Sequence, residues 1–571
     1  MPRPLTFRPI VAALCAATAL AQIPFQAPAQ SLAGAYLAAR EARINSDFAA
    51  ASDYLQRIID AAPDDAATLE TAAVSAFSAG DFILAADRAQ RLLQIEPRNR
   101  AGTLILLTDA FARGDHDTAF ALSSGEVTVH PLMDGLAQAW ARLGQGRMSE
   151  ALDLLDAVSA QDGLMTFALY CRALSLALVG DVEGALAIIE DPAGGVANSL
   201  NRRGYIAYAQ LLGLSERYGD ALSLMDQVLN GAQDRRIERM RAAYAAGEAV
   251  PFDLITAPEQ GMAEVFAVMA NAMFSAQNLH EALIYAQAAV RVNPGLSDAQ
   301  LMIGQIFEEL HQPEMAAAAY ARVPEDDVFG MAARLGRAQV LETLGQVEEA
   351  QTALLAMTQD YPDSFAAQQV LGDFYRRNTD YLKAVEAYSR AIEMIQAIGA
   401  SPGWQVWFSR AVAYERTGQW DRAEADFRAA LALEPDQPTV LNYLGYSLVE
   451  RGEKLDEALD MIERAVAGDP DSGYVVDSLA WALFRLGRYE EALPHMERAV
   501  ELEPTDAILN DHLGDVFWAM GRYREARFQW RRALSFGPSD DMDEARVRRK
   551  LEIGLDAVRA EEGLPPLHAP D

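Results

Sequence analysis

Apolar positions recur every three or four residues along nearly the whole chain, the spacing that puts them on one face of an α-helix. These amphipathic runs come in pairs. Each pair is parted by a short polar turn, such as Thr417-Gly418-Gln419, Leu486-Gly487-Arg488 or Met520-Gly521-Arg522, and closed by a proline. Glycine supplies the positive φ that ends the first helix, and proline stops the second. The closing phrase repeats as ALALEP at Pro435, AVELEP at Pro504 and ALSFGP at Pro538. No stretch alternates with the period of two that a strand requires. The pattern predicts helix–turn–helix units and an all-α chain.

The period is regular. Pro63, Pro97 and Pro131 lie 34 residues apart, Pro294 and Pro362 lie 68 apart, and Pro435, Pro470, Pro504 and Pro538 follow at 35, 34 and 34. Within this frame one unit reads Trp407, Ala411, Tyr414, Ala423, Phe427, Pro435, with Arg410 where a leucine belongs. Another reads Asn510, Leu513, Gly514, Phe517, Ala526, Trp530, Pro538. A third has Gln368, Leu371, Gly372, Tyr375, Ala384 and Tyr388, and a fourth Val476, Leu479, Ala480, Leu483, Ala492, Met496 and Pro504. In this phased series the sequence resembles the tetratricopeptide repeat, a 34-residue helix–turn–helix with pattern W-x2-L-G-x2-Y…A-x3-F…P. Small residues then stand where paired helices approach closely, and large ones fill the adjacent holes.

The resemblance implies an all-α, right-handed α-solenoid of about 14 repeats with a C-terminal capping helix. The expected organisation is a signal peptide at 1–29, a degenerate N-terminal array at 30–230, an insert or linker at 231–262, a C-terminal array at 263–538, and a capping helix with tail at 539–571. The insert is placed by an excess of 27 residues over whole periods between Pro131 and Pro294, and Gly247, Pro251 and Pro258 interrupt helical periodicity there. It reads as a short helix, Asp234 to Ala246, followed by an extended loop. After Pro538, Val547, Leu551, Leu555 and Val558 form one apolar stripe, as a cap needs. The tail LPPLHAPD reads as loose.

The first residues carry Arg3 and Arg8, then a 12-residue apolar run from Ile10 to Ala21, then small residues suited to cleavage after Ala29 or Ala21. Such a segment reads as a secretory signal. It is too short for the roughly 20 residues of a spanning helix, and no later stretch resembles one. Cys15 lies inside the apolar run, which argues against lipidation there. The expected location is the periplasm of a Gram-negative-type cell, compatible with outer-membrane association. Removing the signal leaves Cys171 as the one cysteine, set among Phe167, Ala168, Leu169 and Tyr170 and expected to be a buried, inert thiol.

Composition narrows function further. The 571 residues hold 48 Lys+Arg against 82 Asp+Glu, a net charge of −34 that becomes −36 without the signal. Nucleic-acid binding is excluded, because it depends on basic patches. The seven histidines are scattered without ligand spacing, and no nucleophile, phosphate-binding or dinucleotide motif occurs. The expectation is a non-enzymatic protein with no cofactor and no metal. The cluster Arg235, Arg236, Arg239 and Arg241 reads as a solvated face paired to nearby acids.

In the resembled family the first helix of each unit lines a concave groove that takes peptides or partner helices. That register puts Phe408, Asn442, Tyr446, Tyr474, Asp477, Trp481, Phe484, Asp511, Asp515 and Trp518 on the C-terminal groove, with Gln305, Glu308, Gln339, Glu342, Gln369, Asp373 and Glu415 farther back. Aromatic anchors beside carboxylates suit a protein partner with apolar and basic side chains. Trp481 and Trp518 stand equally at the seam between repeats, where they would be core. No lysine accompanies Asn442, so a carboxylate clamp for a partner's C-terminus is not supported. The function expected is an interaction scaffold of the cell envelope, the alternative an accessory for polysaccharide or cell-wall export whose aromatics stack on glycan.

Overall fold

A computed structural model describes residues 31–568, except 128, 162, 230–234, 326 and 538–541. The segment 1–29, expected to be a signal peptide, lies outside the described residues. Every described element is a helix, and the helices form fourteen antiparallel pairs with no strand among the described residues. The chain divides into two compact units, Met1–Pro362 and Asp363–Asp571. Nine pairs lie in the first and five in the second.

Local chemistry accounts for the helix limits. Asp65 and Asp81 accept at 3.1 Å from the backbone N–H three residues on, satisfying groups that a helix start leaves open. Second helices end at Ala61, Ile95, Val292, Asp360, Leu433, Gly468 and Leu502, each two residues before one of the periodic prolines. Pro131 behaves otherwise. The helix His116–Ser123 stops early, and Pro131 opens Pro131–Gly144 in place of closing a pair.

Gly418 takes φ +74° in the turn after Trp404–Arg416. Thr379 holds φ +60° at the equivalent place, a conformation costly for a β-branched residue. Thr379→Gly is therefore expected to raise stability by about 1 kcal/mol, the left-handed strain relieved exceeding the chain entropy glycine adds. Denaturant unfolding of the full chain checks this, and no gain would contradict it.

The consensus positions pack as the repeat pattern requires. A Cβ on Gly372 would stand 2.7 Å from the Tyr388 ring, and one on Gly514 2.4 Å from Trp530. Where leucine is missing, Arg410 lies between helices and donates to both oxygens of Asp426 at 2.7 and 2.9 Å and to the Ser389 hydroxyl at 3.1 Å. A paired guanidinium replaces a hydrophobe there.

The first unit is not a simple linear stack. Its first five pairs run from Leu32–Ile44 to Val182–Glu190. The insert helix, observed at Arg235–Ala245, packs Tyr244 against Gly213 of Arg202–Leu214. The following pair, Pro258–Ser275 and Leu279–Val292, folds back onto the first array. Pro258–Ser275 packs on Pro131–Gly144 and Met165–Leu178, and Leu279–Val292 on Ala66–Ser78 and Arg100–Ala112. Gln287 donates to the Ser78 carbonyl at 3.0 Å, Arg291 pairs with Asp109 at 2.8 Å, and Gln312 donates to the Asn45 carbonyl at 2.7 Å. The segment 231–262 thus falls within the first unit, and the division of the chain lies between Pro362 and Asp363. Periodicity located the insert but carries no information on where the chain goes after it.

The expected single capping helix is two, Glu544–Ile553 and Leu555–Glu561, parted at Gly554. Gly554 has φ +84°, and the Trp518 ring occupies the space a Cβ would need, 2.4 Å away. Of the expected stripe, Val547, Leu555 and Val558 are buried and Leu551 is half-buried. The tail is tied down as far as His568. Leu567 N–H donates to Asp556, and the His568 ring meets Asp556 at 3.0 Å and the Ala519 carbonyl at 3.2 Å.

Candidate functional site

The candidate surface lies on the first helices of the second unit: Phe365–Arg377, Trp404–Arg416, Pro438–Arg451, Gly473–Arg485 and Ala507–Ala519. The structure splits the ten sequence-derived residues into two sets. Tyr474 is 56% exposed, and Phe408, Asn442, Tyr446 and Trp481 are half-buried. Asp477, Phe484, Asp511, Asp515 and Trp518 are buried.

The buried carboxylates have internal partners. Lys550 of the cap is fully buried and donates to Asp511 at 2.8 Å and to Asp515 at 2.7 Å. The Trp530 indole donates to Asp515 at 2.9 Å, and Arg546 approaches it at 3.8 Å. Burial pushes the Asp515 carboxyl above the usual range, against the pull of Lys550. Asp477 bonds the His512 ring at 3.0 Å. Burial lowers the affinity of His512 for its proton, but Asp477, then Asp511 and Asp515, outweigh it and hold that affinity above the ordinary value.

The aromatics are engaged too. Trp481 stacks on Phe484 at 4.9 Å and on His512 at 4.0 Å, both within 15° of parallel, and donates its indole N–H to Glu450 at 2.7 Å. Two rings cannot share one face at those distances, so both faces of Trp481 are covered and its edge is left. Trp518 packs against Trp530 and Tyr523 and donates to Asp556 at 2.9 Å. Of the two placements open for these tryptophans, Trp518 takes the seam, and Trp481 stands half in each.

Farther back in this unit, Gln369 is half-buried, Asp373 accepts from the Tyr388 hydroxyl at 2.6 Å, and Glu415 accepts from Tyr443 and Ser447 at 2.9 Å each. In the first unit, Gln305, Glu308 and Gln339 line a hollow of about 740 Å³, and Glu342 is half-buried. Burial raises the Glu308 carboxyl, opposed by the Tyr320 hydroxyl it accepts from. In the insert, Arg236 pairs with Asp253 at 2.6 Å and Arg241 with Asp226, the solvated arrangement expected.

Sequence reasoning missed Lys550, His512, Glu450 and Asp556. One signal was present. Lys550 falls on the apolar stripe of the cap between Val547 and Leu551, and it is one of only three lysines in the chain. A charge on a buried stripe asks for a buried counter-charge.

Among the described residues no three His, Cys, Asp or Glu side chains are grouped to hold a metal ion, and no helix is long and apolar enough to cross a membrane. Cys171 is buried, and burial pushes its thiol up to about 12, the state of an unreactive cysteine.

Tetratricopeptide repeat models match residues 335–403 and 403–536. TPR repeat-containing protein PA4667 of Pseudomonas aeruginosa is 28% identical over 192 residues, 33% of this chain and 31% of the relative. Small glutamine-rich tetratricopeptide repeat-containing protein 2 of Mycosarcoma maydis is 33% identical over 102 residues, 18% of this chain and 27% of the relative. The chain thus spans less than a third of the length of these curated relatives. Among solved structures, the Cut9–Hcn1 hetero-tetramer of APC/C is 15% identical, with 83% of this chain and 93% of that one covered and a TM-score of 0.39. YrrB, described as a TPR protein with an unusual peptide-binding site, is 18% identical, with 34% and 96% covered and a TM-score of 0.28. The helix pairs over 335–536 are tetratricopeptide repeats.

Proposed function

We propose that the protein is a non-enzymatic scaffold of the cell envelope that holds segments of partner proteins on the first helices of its second unit. One observation carries the reading: successive repeats present Phe408, Asn442, Tyr446, Trp481 and Tyr474 half-buried or exposed on the same helix of each pair. Partly covered aromatics on the first helices of successive pairs offer apolar anchor sites at low entropic cost. With Asp477, Asp511 and Asp515 committed internally, apolar side chains dominate the partner chemistry. Asp373 and Glu450 are 38% and 41% exposed but already face Arg376 at 3.8 Å and Arg485 at 2.8 Å, so a basic partner group would compete for them. The glycan alternative is left with Tyr474 and Tyr446 as stacking platforms, since both faces of Trp481 are covered and Trp518 is buried.

The double variant Tyr446→Ala, Tyr474→Ala is expected to weaken capture of crosslinked partners from intact envelopes about tenfold, with the thermal midpoint unchanged. Capture at the level of the parent chain would sink the reading. Export by the segment 1–29 predicts recovery in the periplasmic fraction with that segment removed; retention of the full chain in the cytosol would contradict it.

A further inference from the structure

Where Pro258–Ser275 folds back in the first unit it closes tightly at one end, with Gly261 against Trp140. Toward its other end the helices diverge around a chamber of about 500 Å³. Its walls are Phe167 of Met165–Leu178, Leu200 of the connector before Arg202–Leu214, Val268 of Pro258–Ser275, Leu301 and Met302 of Ser297–Glu309, and Phe329. That volume and apolar lining fall in the range of small-molecule sites. We infer that this chamber binds a neutral, mainly apolar small molecule.

Two further features support a built site over a packing gap. The connector wall is fixed in place: Thr166 donates to the Gly194 carbonyl at 3.0 Å, and Asn201 accepts from Gly204 N–H at 2.9 Å. Leu200 is thereby held in position without a ligand. The charges at the wall also answer one another. Arg203 meets Glu264 at 2.7 Å and Asp298 at 3.7 Å, so this guanidinium is already paired with two carboxylates. A charged ligand would shed its hydration and compete with the Arg203 pairing, which selects for neutral molecules. Exposed Asn271 and Gln305 at the chamber supply hydrogen bonds to a polar end. The chamber is independent of the second unit's surface, so the failure of either reading leaves the other standing.

Two dyes of one skeleton test this on the full chain: neutral N-phenyl-1-naphthylamine and its anionic relative 1-anilinonaphthalene-8-sulfonate. The neutral dye is expected to show saturable fluorescence gain at one site per chain, and the sulfonate to bind at least about tenfold more weakly. Val268→Trp, which fills the chamber from one wall, is expected to weaken the neutral dye about tenfold or more. Leu200→Trp does the same from the opposite wall, and each variant counts only with a circular dichroism melt matching the parent. Tyr474→Ala is expected to leave dye binding unchanged. Absence of saturable binding, equal affinity for the two dyes, or undiminished binding by a folded tryptophan variant would each overturn the inference.

Discussion

Lys550→Met is expected to destabilise the second unit by about 3–5 kcal/mol, the largest single-residue effect in that unit. The methionine side chain fits the space of the lysine stem, so the loss is electrostatic. The ammonium is wholly buried and within 2.8 Å of both Asp511 and Asp515. Removing it leaves two buried carboxylates facing each other, with Trp530 N–H and a more distant Arg546 as the remaining help for Asp515. The deficit should depend on pH with a definite sign. Burial already raises the Asp515 carboxyl, and loss of Lys550 raises it further. A carboxyl raised in the folded state binds its proton more tightly than the unfolded chain does. Its contribution to stability is therefore present at low pH and lost as pH rises through the folded value. The gap between Lys550→Met and the parent should narrow on going from about pH 7 to about pH 5. Urea unfolding at several pH values measures both; a deficit under about 1 kcal/mol, or one that widens in acid, would show that the network is not paired as described.

This network also explains which parts of the surface could be read from sequence. The period, helix pairs and consensus packing depend on residues near one another in the chain, and the 34-residue proline frame exposes them directly. Gly372 beside Tyr388 and Gly514 beside Trp530 follow from that frame alone. The register likewise placed Tyr474 on an exposed face. It failed for Asp511 and Asp515 because their partner comes from the cap, outside the repeat pattern, 39 and 35 residues away. It failed for Asp477 because His512 is a residue of the next repeat that no consensus position specifies. An acid facing inward looks identical in sequence whether a ligand or a neighbouring helix neutralises it.

The first unit shows the same limit on a larger scale. Its degenerate repeats still form pairs, since amphipathic periodicity is enough for that. Nothing in the period announces that Pro258–Ser275 and Leu279–Val292 will pack on the first helices of the first array. The signal lay in individual residues: Gly261 in a helix start, where glycine is costly, and Gln287 among alanines on a buried helix face. Each is explained by a contact more than 100 residues distant, Trp140 for one and the Ser78 carbonyl for the other.

That contact yields the second large effect. Gly261→Val is expected to cost the first unit about 3 kcal/mol, at the upper end of ordinary overpacking. A Cβ there would stand 2.4, 2.4 and 2.5 Å from three atoms of the Trp140 ring, which is itself 1% exposed and cannot swing away. The rigid neighbour makes the cost of the added atoms large, because relief requires Pro258–Ser275 to lift from Pro131–Gly144. Gly219 is the control. A Cβ there meets nothing within 4 Å, so Gly219→Ala should raise stability by about 1 kcal/mol through helix propensity alone. Lifting the helix also predicts where protection is lost: amide exchange should quicken in Ala66–Ser78 and Arg100–Ala112, which Leu279–Val292 covers. Trp140→Leu in the Gly261→Val background should recover part of the loss, giving a favourable coupling of roughly 1 kcal/mol or more in a double-mutant cycle. If Gly261→Val unfolds no earlier than Gly219→Ala, or if the cycle shows no coupling, the back-folded pair is not seated on the first array through this contact.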